Sequence, residues 1–163
     1  MNVIYIAIVV VAGYLLGSLS ISILLSKNLL GRDVRRHGSG NAGATNMARV
    51  FGMHAGLLTL AGDMLKAAAA MLLGFWLLGD TGMALGGVAC LLGHCFPVLH
   101  GFKGGKGVSS GAMVALMIDW RVFLCVAGAF LAGAFLTKKV SFGSICGALA
   151  IFISAAAFGV STP

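Results

Sequence analysis

Residues 3–26 read VIYIAIVVVAGYLLGSLSISILLS. None of them is charged, and the run is long enough to cross a bilayer as a helix, which takes about 20 apolar residues. It has no basic n-region and is too long for a signal peptide, so it is expected to be retained as the first helix. Gly13, Gly17 and the row Ser18, Ser20, Ser22 are expected to allow close helix packing in its second half. The rest of the chain has the same character. Of 163 residues, 60% are hydrophobic and 9% charged, with a mean hydropathy of +1.04. Soluble domains carry far more charge. The fold class is therefore all-α, a polytopic integral membrane helix bundle forming a single transmembrane domain over residues 1–163.

Working outward from the first segment, a charged loop at about 27–55 comes next. A second apolar segment, about 56–78, contains Asp63 and Lys66. These lie three apart, on one helix face, where each neutralises the other. Two readings stand for them: a structural ion pair, or contact with a substrate. Gly79-Asp80-Thr81-Gly82 reads as a turn before a third segment at about 83–100. The apolar stretch 108–136 is interrupted at Asp119-Trp120-Arg121, giving two short segments, and a sixth runs over about 142–160. The cysteines Cys90, Cys95, Cys125 and Cys146 lack metal-ligand spacing and are expected to be free.

With about six segments, nine of the eleven basic residues fall in the first, third and fifth loops, about 27–55, 101–108 and 137–141. Only Arg121, in an even loop, and Lys66, inside a segment, lie elsewhere. The positive-inside rule then places those three loops in the cytoplasm and the N-terminus outside. The net charge of +7 thus speaks of topology before it speaks of an acidic partner, and no nucleic acid is expected.

Two of these loops are rich in glycine. The first holds Gly38-Ser39-Gly40-Asn41-Ala42-Gly43-Ala44-Thr45-Asn46-Met47-Ala48-Arg49, preceded by Arg32, Arg35, Arg36 and His37. The second is Gly101-Phe102-Lys103-Gly104-Gly105-Lys106-Gly107-Val108. Glycine admits close approach and positive φ, successive N–H groups can cradle an anion, and arginine fits phosphate bidentately. A phosphate site at a membrane surface follows, against the plainer reading of a flexible basic loop. Gly38-x-Gly40-x-x-Gly43 is not a dinucleotide fingerprint, because no strand precedes it and no βαβ unit is available. The second loop is not a Walker A loop either, since His100 stands where its first Gly belongs and Gly107 replaces the Ser/Thr. No His/Asp/Glu cluster has metal-ligand spacing, so no metal is expected. His94, in Gly93-His94-Cys95-Phe96-Pro97, is either a general base or a packed histidine at a helix end.

Gly38-Ser39-Gly40-Asn41-x-Gly43-Ala44-Thr45-Asn46-x-x-Arg49 and Gly93-His94-x-x-Pro97-x-x-x-Gly101-Phe102-Lys103-Gly104-Gly105-Lys106-Gly107-Val108 together closely resemble the bacterial membrane glycerol-3-phosphate acyltransferases that use acyl phosphate, the PlsY family. Asp63-x-x-Lys66, Val140-Ser141-x-x-Ser144 and Tyr14-Leu15-Leu16-Gly17-Ser18 match as well, so the resemblance covers nearly the whole chain. It implies transfer of a fatty acyl group from acyl phosphate to the sn-1 hydroxyl of glycerol 3-phosphate, giving lysophosphatidic acid and phosphate for phospholipid synthesis. It implies no metal, nucleotide or other cofactor, and a bacterial cytoplasmic (inner) membrane location. Carried over, Ser39 and Arg49 are required for activity, Gly104 to Gly107 with Lys106 bind the phosphate of glycerol 3-phosphate, and Ser144 lines the site. Gly38, Gly40, Asn41, Gly43, Thr45, Asn46 and Lys103 are expected to join the phosphate-binding surface, with His94 beside the reacting groups and Asp63 and Lys66 in support.

Family members have a seventh helix and a cytoplasmic tail with a third motif, whose His and Asn matter for activity and whose Glu matters for structure. This sequence stops after the sixth segment and contains no Glu, so that motif is expected to be missing and the C-terminus to lie outside. The competing reading is a non-catalytic membrane protein that binds or transports a phosphorylated solute or lipid through the same cationic face.

Overall fold

The structure, a computed structural model, describes residues 2–160. Its packing falls into two compact units, which divide between Ser110 and Gly111. Four stretches among the described residues are long and apolar enough to cross a membrane: Val3–Leu29, Met53–His100, Trp120–Thr137 and Val140–Ala157. Their polarity is inverted relative to a soluble protein. Trp76 and Phe135 are more than four-fifths exposed, while Asp63, Lys66 and His94 are buried. That inversion fits a lipid solvent outside and polar packing within.

In the first unit, α1 (Val3–Ser18) ends at Leu19 and Ser20, both extended, and α2 (Ile21–Leu24) continues as a wide π turn over Leu25–Leu29. The first segment is therefore not the unbroken helix expected over 3–26. Extended backbone inside a membrane leaves carbonyls without helical donors, and here a buried lysine supplies them, as described below. The loop that follows contains a 3₁₀ turn, Val34–Arg36, and a helix, α3 (Ala44–Phe51), where only a loop was expected.

Helix α4 (Met53–Cys95) has 43 residues, which if straight would be about 65 Å long, twice a hydrocarbon core. It is not straight. Gly79, at φ 63° and ψ −147°, breaks it, a conformation open to a residue without Cβ. The limbs 53–78 and 80–95 then fold back on each other. Gly74 and Gly82 each lie against the other's carbonyl, and Gly86 lies against that of Ala70. The expected turn at 79–82 narrows to this single residue, since Asp80 already belongs to the next limb.

Small residues let α1 reach the second limb backbone to backbone. A Cβ on Gly13 would stand 3.0 Å from the Gly86 carbonyl, Gly17 lies against Cys90, and Gly93 lies against Tyr14. The pairs 13–86 and 17–90 mean that α1 and the second limb run in the same direction. The first limb runs opposite, with Lys66 at Gly17 and Gly62 at Ile21. Both glycine-rich loops, which follow α1 and the second limb, therefore emerge at one end of this unit. After Cys95 the chain turns through Pro97 and a 3₁₀ turn, Val98–His100, into the second loop and α5 (Val108–Ile118).

The second unit contains the rest of α5 with α6 (Trp120–Thr137) and α7 (Val140–Ala157). The 11 residues of α5 span only about 16 Å. The break expected at 119–121 falls at Asp119, whose side chain caps α6 by accepting from the Arg121 N–H at 2.7 Å. Helices α6 and α7 pack through Gly143 against Phe130 and Ala134, and through Gly133 against Cys146. Val122 and Val126 form a small apolar core with Ala115. All four cysteines are free.

Candidate functional site

Asn46 organises the first loop. It is buried at the start of α3, and its Oδ1 accepts from the Ser39 N–H at 2.9 Å. Its Nδ2 donates to the carbonyls of Val34 (3.2 Å), His37 (3.0 Å) and Asn41 (3.1 Å). One amide thus gathers four points of the loop. Asn46 was expected among the phosphate ligands, but its side chain is already spent on the loop's own backbone. Gly38, at φ 60°, lies against that amide oxygen with no room for a Cβ. Gly43 precedes α3 with no side-chain cap, and its carbonyl accepts from the N–H groups of Asn46 and Met47.

The second loop is pinned to the end of α4. The Gly105 N–H donates to the His94 carbonyl at 3.1 Å, and Gly104 sits on the carbonyls of His94 and Cys95. Gly105 also lies between His94 Nε2 and the Ala42 carbonyl, so the two loops touch there. At the far end of the loop, Ser110 Oγ donates to the Asp63 carbonyl at 3.2 Å. Tyr14 Oη donates to the Phe96 carbonyl at 2.7 Å and ties the turn to α1.

Beneath this junction lies a buried charged cluster. Lys66 Nζ is 2.9 Å from Asp63 Oδ1 and 3.0 Å from His94 Nδ1. It also donates to the carbonyls of Gly17 (3.0 Å) and Leu19 (2.9 Å), the ones freed where α1 ends. Asp63 Oδ2 has no hydrogen-bond partner among the described residues. An ammonium has only donors, so His94 Nδ1 accepts and the ring's hydrogen sits on Nε2, the edge that faces Gly105. Of the two readings of Asp63 and Lys66, the geometry is that of a buried ion pair. His94 joins them and is itself only 3% exposed.

Ser39, Thr45, Arg49 and Lys103 are exposed, and Asn41 is half-buried. Lys106 is exposed on the second loop, between Gly105 and Gly107. Ser144 lies in the second unit on α7, with Oγ donating to the Val140 carbonyl at 2.8 Å. No group of three His, Cys, Asp or Glu among the described residues is placed to hold a metal ion.

Arg35, one of the basic residues that precede the first glycine run, is turned inward. Its Nε and Nη2 grip Asp33 Oδ1 (3.1 Å) and Oδ2 (2.9 Å), while Nη1 donates to the carbonyls of His100 (2.9 Å) and Lys103 (3.3 Å). Lys27 adds a longer ion pair to Asp33 at 3.4 Å. The Arg35 guanidinium holds the Asp33 carboxyl well below the usual carboxylate range, against the opposing effect of partial burial. Sequence spacing signals the local Asp33–Arg35 pair. The partners of Nη1 lie 65 and 68 residues away and leave no mark in the sequence.

Residues 7–162 match the family model described as glycerol-3-phosphate acyltransferase. A glycerol-3-phosphate acyltransferase of Finegoldia magna is 39% identical over 153 residues, covering 94% of this chain and 77% of that protein. One of Bacillus subtilis is 40% identical, covering 86% of this chain and 72% of that protein. One of Syntrophotalea carbinolica is 43% identical, covering 88% and 74%. Among solved structures, the glycerol 3-phosphate form of PlsY, an integral membrane glycerol 3-phosphate acyltransferase, superposes with a TM-score of 0.86 at 34% identity. That match covers 97% of this chain and 78% of the other. The lysophosphatidic acid form gives 0.83 at 32% identity, with the same coverage.

Proposed function

The chain belongs to the glycerol-3-phosphate acyltransferase family of integral membrane enzymes, and from that premise we propose that it moves a fatty acyl group from acyl phosphate to the sn-1 hydroxyl of glycerol 3-phosphate. The products are lysophosphatidic acid and inorganic phosphate. The observation that carries this reading is the meeting of two glycine-rich loops at Gly105, at one end of the first unit, with Arg49 and Lys103 exposed on them. Both substrates are phosphates, so a cationic surface poor in carboxylates suits them. One of them carries an acyl chain, which a helix bundle facing lipid can accommodate.

The hydroxyl oxygen attacks the acyl carbonyl carbon, and the bond from that carbon to the phosphate oxygen breaks. The electron pair leaves with inorganic phosphate. Because acyl phosphate is already activated, the protein's task is to hold the hydroxyl in line and stabilise the oxyanion. Ser39 donates at the reacting centre, Arg49 neutralises the donor phosphate, and Gly104 to Gly107 with Lys106 cradle the acceptor's phosphate. Thr45 and Asn41, on the first loop, add donors to the same surface. The burial of His94 and its bond to Lys66 favour a substrate phosphate oxygen as proton acceptor over the imidazole. The site faces the cytoplasm of a bacterial inner membrane, by the excess of basic residues at this end.

The test is turnover of the purified 163-residue chain in lipid, following lysophosphatidic acid. Ser39→Ala and Arg49→Ala are each expected to lower kcat/KM about 100-fold or more, the scale of losing one transition-state donor. Binding of glycerol 3-phosphate with no product from folded wild-type protein would overturn the reading in favour of a binding protein.

A further inference from the structure

We propose that Arg35 is a positioning residue for acyl transfer, a latch that sets the spacing between the two glycine-rich loops. The proposal deepens the reading above and rests on it for the identity of the substrate. Three of the arginine's polar groups are taken by Asp33, since Nε, Nη2 and the backbone N–H all donate to its carboxylate. That two-pronged grip fixes the plane of the guanidinium and aims Nη1 across at the second loop. There it meets the carbonyls of His100 and Lys103 at 2.9 and 3.3 Å. The Lys103 carbonyl belongs to the peptide that enters Gly104, so the latch holds the first residue of the phosphate cradle.

The base of the latch is itself anchored. The Val34 N–H donates to Ser26 Oγ at 3.2 Å, and the Val34 carbonyl accepts from Asn46 at 3.2 Å. Val34 is completely buried. A chain of fixed groups therefore runs from Asn46, which also holds the Ser39 N–H, through Arg35 to Lys103. Arg32 and Arg36 flank it but stay exposed. Lysine cannot reproduce this arrangement, because a point-charge ammonium lacks the planar fork that serves Asp33 and the carbonyls together.

The experiment uses the full chain in lipid with Arg35→Lys, Asp33→Asn and the double variant. It reads KM and kcat for glycerol 3-phosphate, and amide hydrogen exchange over residues 103–107. Each single variant is expected to raise KM about tenfold with kcat changed less than about threefold, because the cradle is displaced while the reacting groups persist. Exchange over 103–107 should accelerate about tenfold, with that of the membrane helices unchanged. The double variant should be no worse than either single, since both break the same latch. Wild-type KM in Arg35→Lys, a lowered KM in Asp33→Asn, or additive effects would overturn the proposal. A lowered KM in particular would mean a released arginine binding substrate directly. The exchange readout needs no turnover. A chain that makes no product yet loosens at 103–107 keeps the latch and loses the acyltransferase reading, whereas normal turnover with unchanged KM and exchange loses the latch alone.

Discussion

Lys66 Nζ stands 3.0 Å from His94 Nδ1, joining the first limb of α4 to the last turn of the second. The same ammonium faces Asp63 Oδ1 at 2.9 Å and the carbonyls of Gly17 and Leu19, four partners for three hydrogens. Three helical segments are thus held by one buried cation. Replacing it by methionine keeps the length and removes the charge, which leaves Asp63 ionised without a counter-charge or forces it to take a proton. Lys66→Met is expected to cost about 3–5 kcal/mol, the scale for breaking a buried pair on one side. Thermal unfolding in detergent checks it, and adding Asp63→Asn should recover part of the loss. A Lys66→Met protein that melts like wild type would show that the cluster does not hold the unit together.

Asn46 offers a sharper chemical contrast. Its Nδ2 faces three carbonyl oxygens, so a carboxylate in its place would set an anion against them. Asn46→Asp is expected to destabilise by about 2 kcal/mol or more, and by more than Asn46→Ala, which removes the donor without adding repulsion. Activity should fall in both variants, because the carbonyls of Val34, His37 and Asn41 lose their donor and the loop that carries Ser39 loses its brace. Melting temperature and kcat/KM, measured side by side, check the order. Asp tolerated better than Ala would mean that the amide is not what gathers the loop.

The helices were legible because hydropathy is additive along a chain. The start of the uncharged run at Val3, a Gly turn near 79 and a polar break at 119–121 each correspond to a boundary. What was illegible required knowing who pairs with whom. The break at Leu19 and Ser20 sits in apolar sequence and depends on Lys66, 47 residues away from Leu19. Helix α3 was hidden because glycines and small polar residues score as loop, while its stability comes from packing on Gly56 and from Asn46. Asn46 read as a phosphate ligand by residue type and Arg35 only as a basic residue upstream of the loop, and their geometry makes both of them braces of the loops. His94, left open between base and packed residue, is bonded to the Asp63 and Lys66 pair that three-residue spacing had already put on one face.

Gly105 lies where the two loops touch. A Cβ there would run into His94 Nε2 and the Ala42 carbonyl, so either the imidazole leaves its place or the loops part. Gly105→Ala is expected to lower kcat/KM about 100-fold while costing about 1–3 kcal/mol of stability, typical of overpacking. Gly128→Ala is the control. Nothing lies within 4 Å of the methyl it would add, and alanine favours a helix over glycine. It should leave activity unchanged and stability equal or slightly higher. If both variants behave alike in the turnover assay, the approach of the loops at Gly105 is not part of the site.

The latch also gives the loops an acid dependence whose sign follows from Asp33. Its partnership with Arg35 holds the folded carboxyl well below the ordinary 3.8, so the folded state favours the charged form more than the unfolded state does. The contribution is complete above that ordinary value, and it is lost as pH falls below it toward the depressed folded value. In Asp33→Asn no such contribution exists at any pH. The difference in melting temperature between wild type and Asp33→Asn should therefore be constant from neutrality down to about pH 5, and shrink below about pH 4. Thermal scans of the two proteins in the same lipid at successive pH values measure it directly. A difference that grows on acidification would mean that Asp33 is stabilised in its protonated form, which the bidentate grip of Arg35 at 2.9 and 3.1 Å opposes.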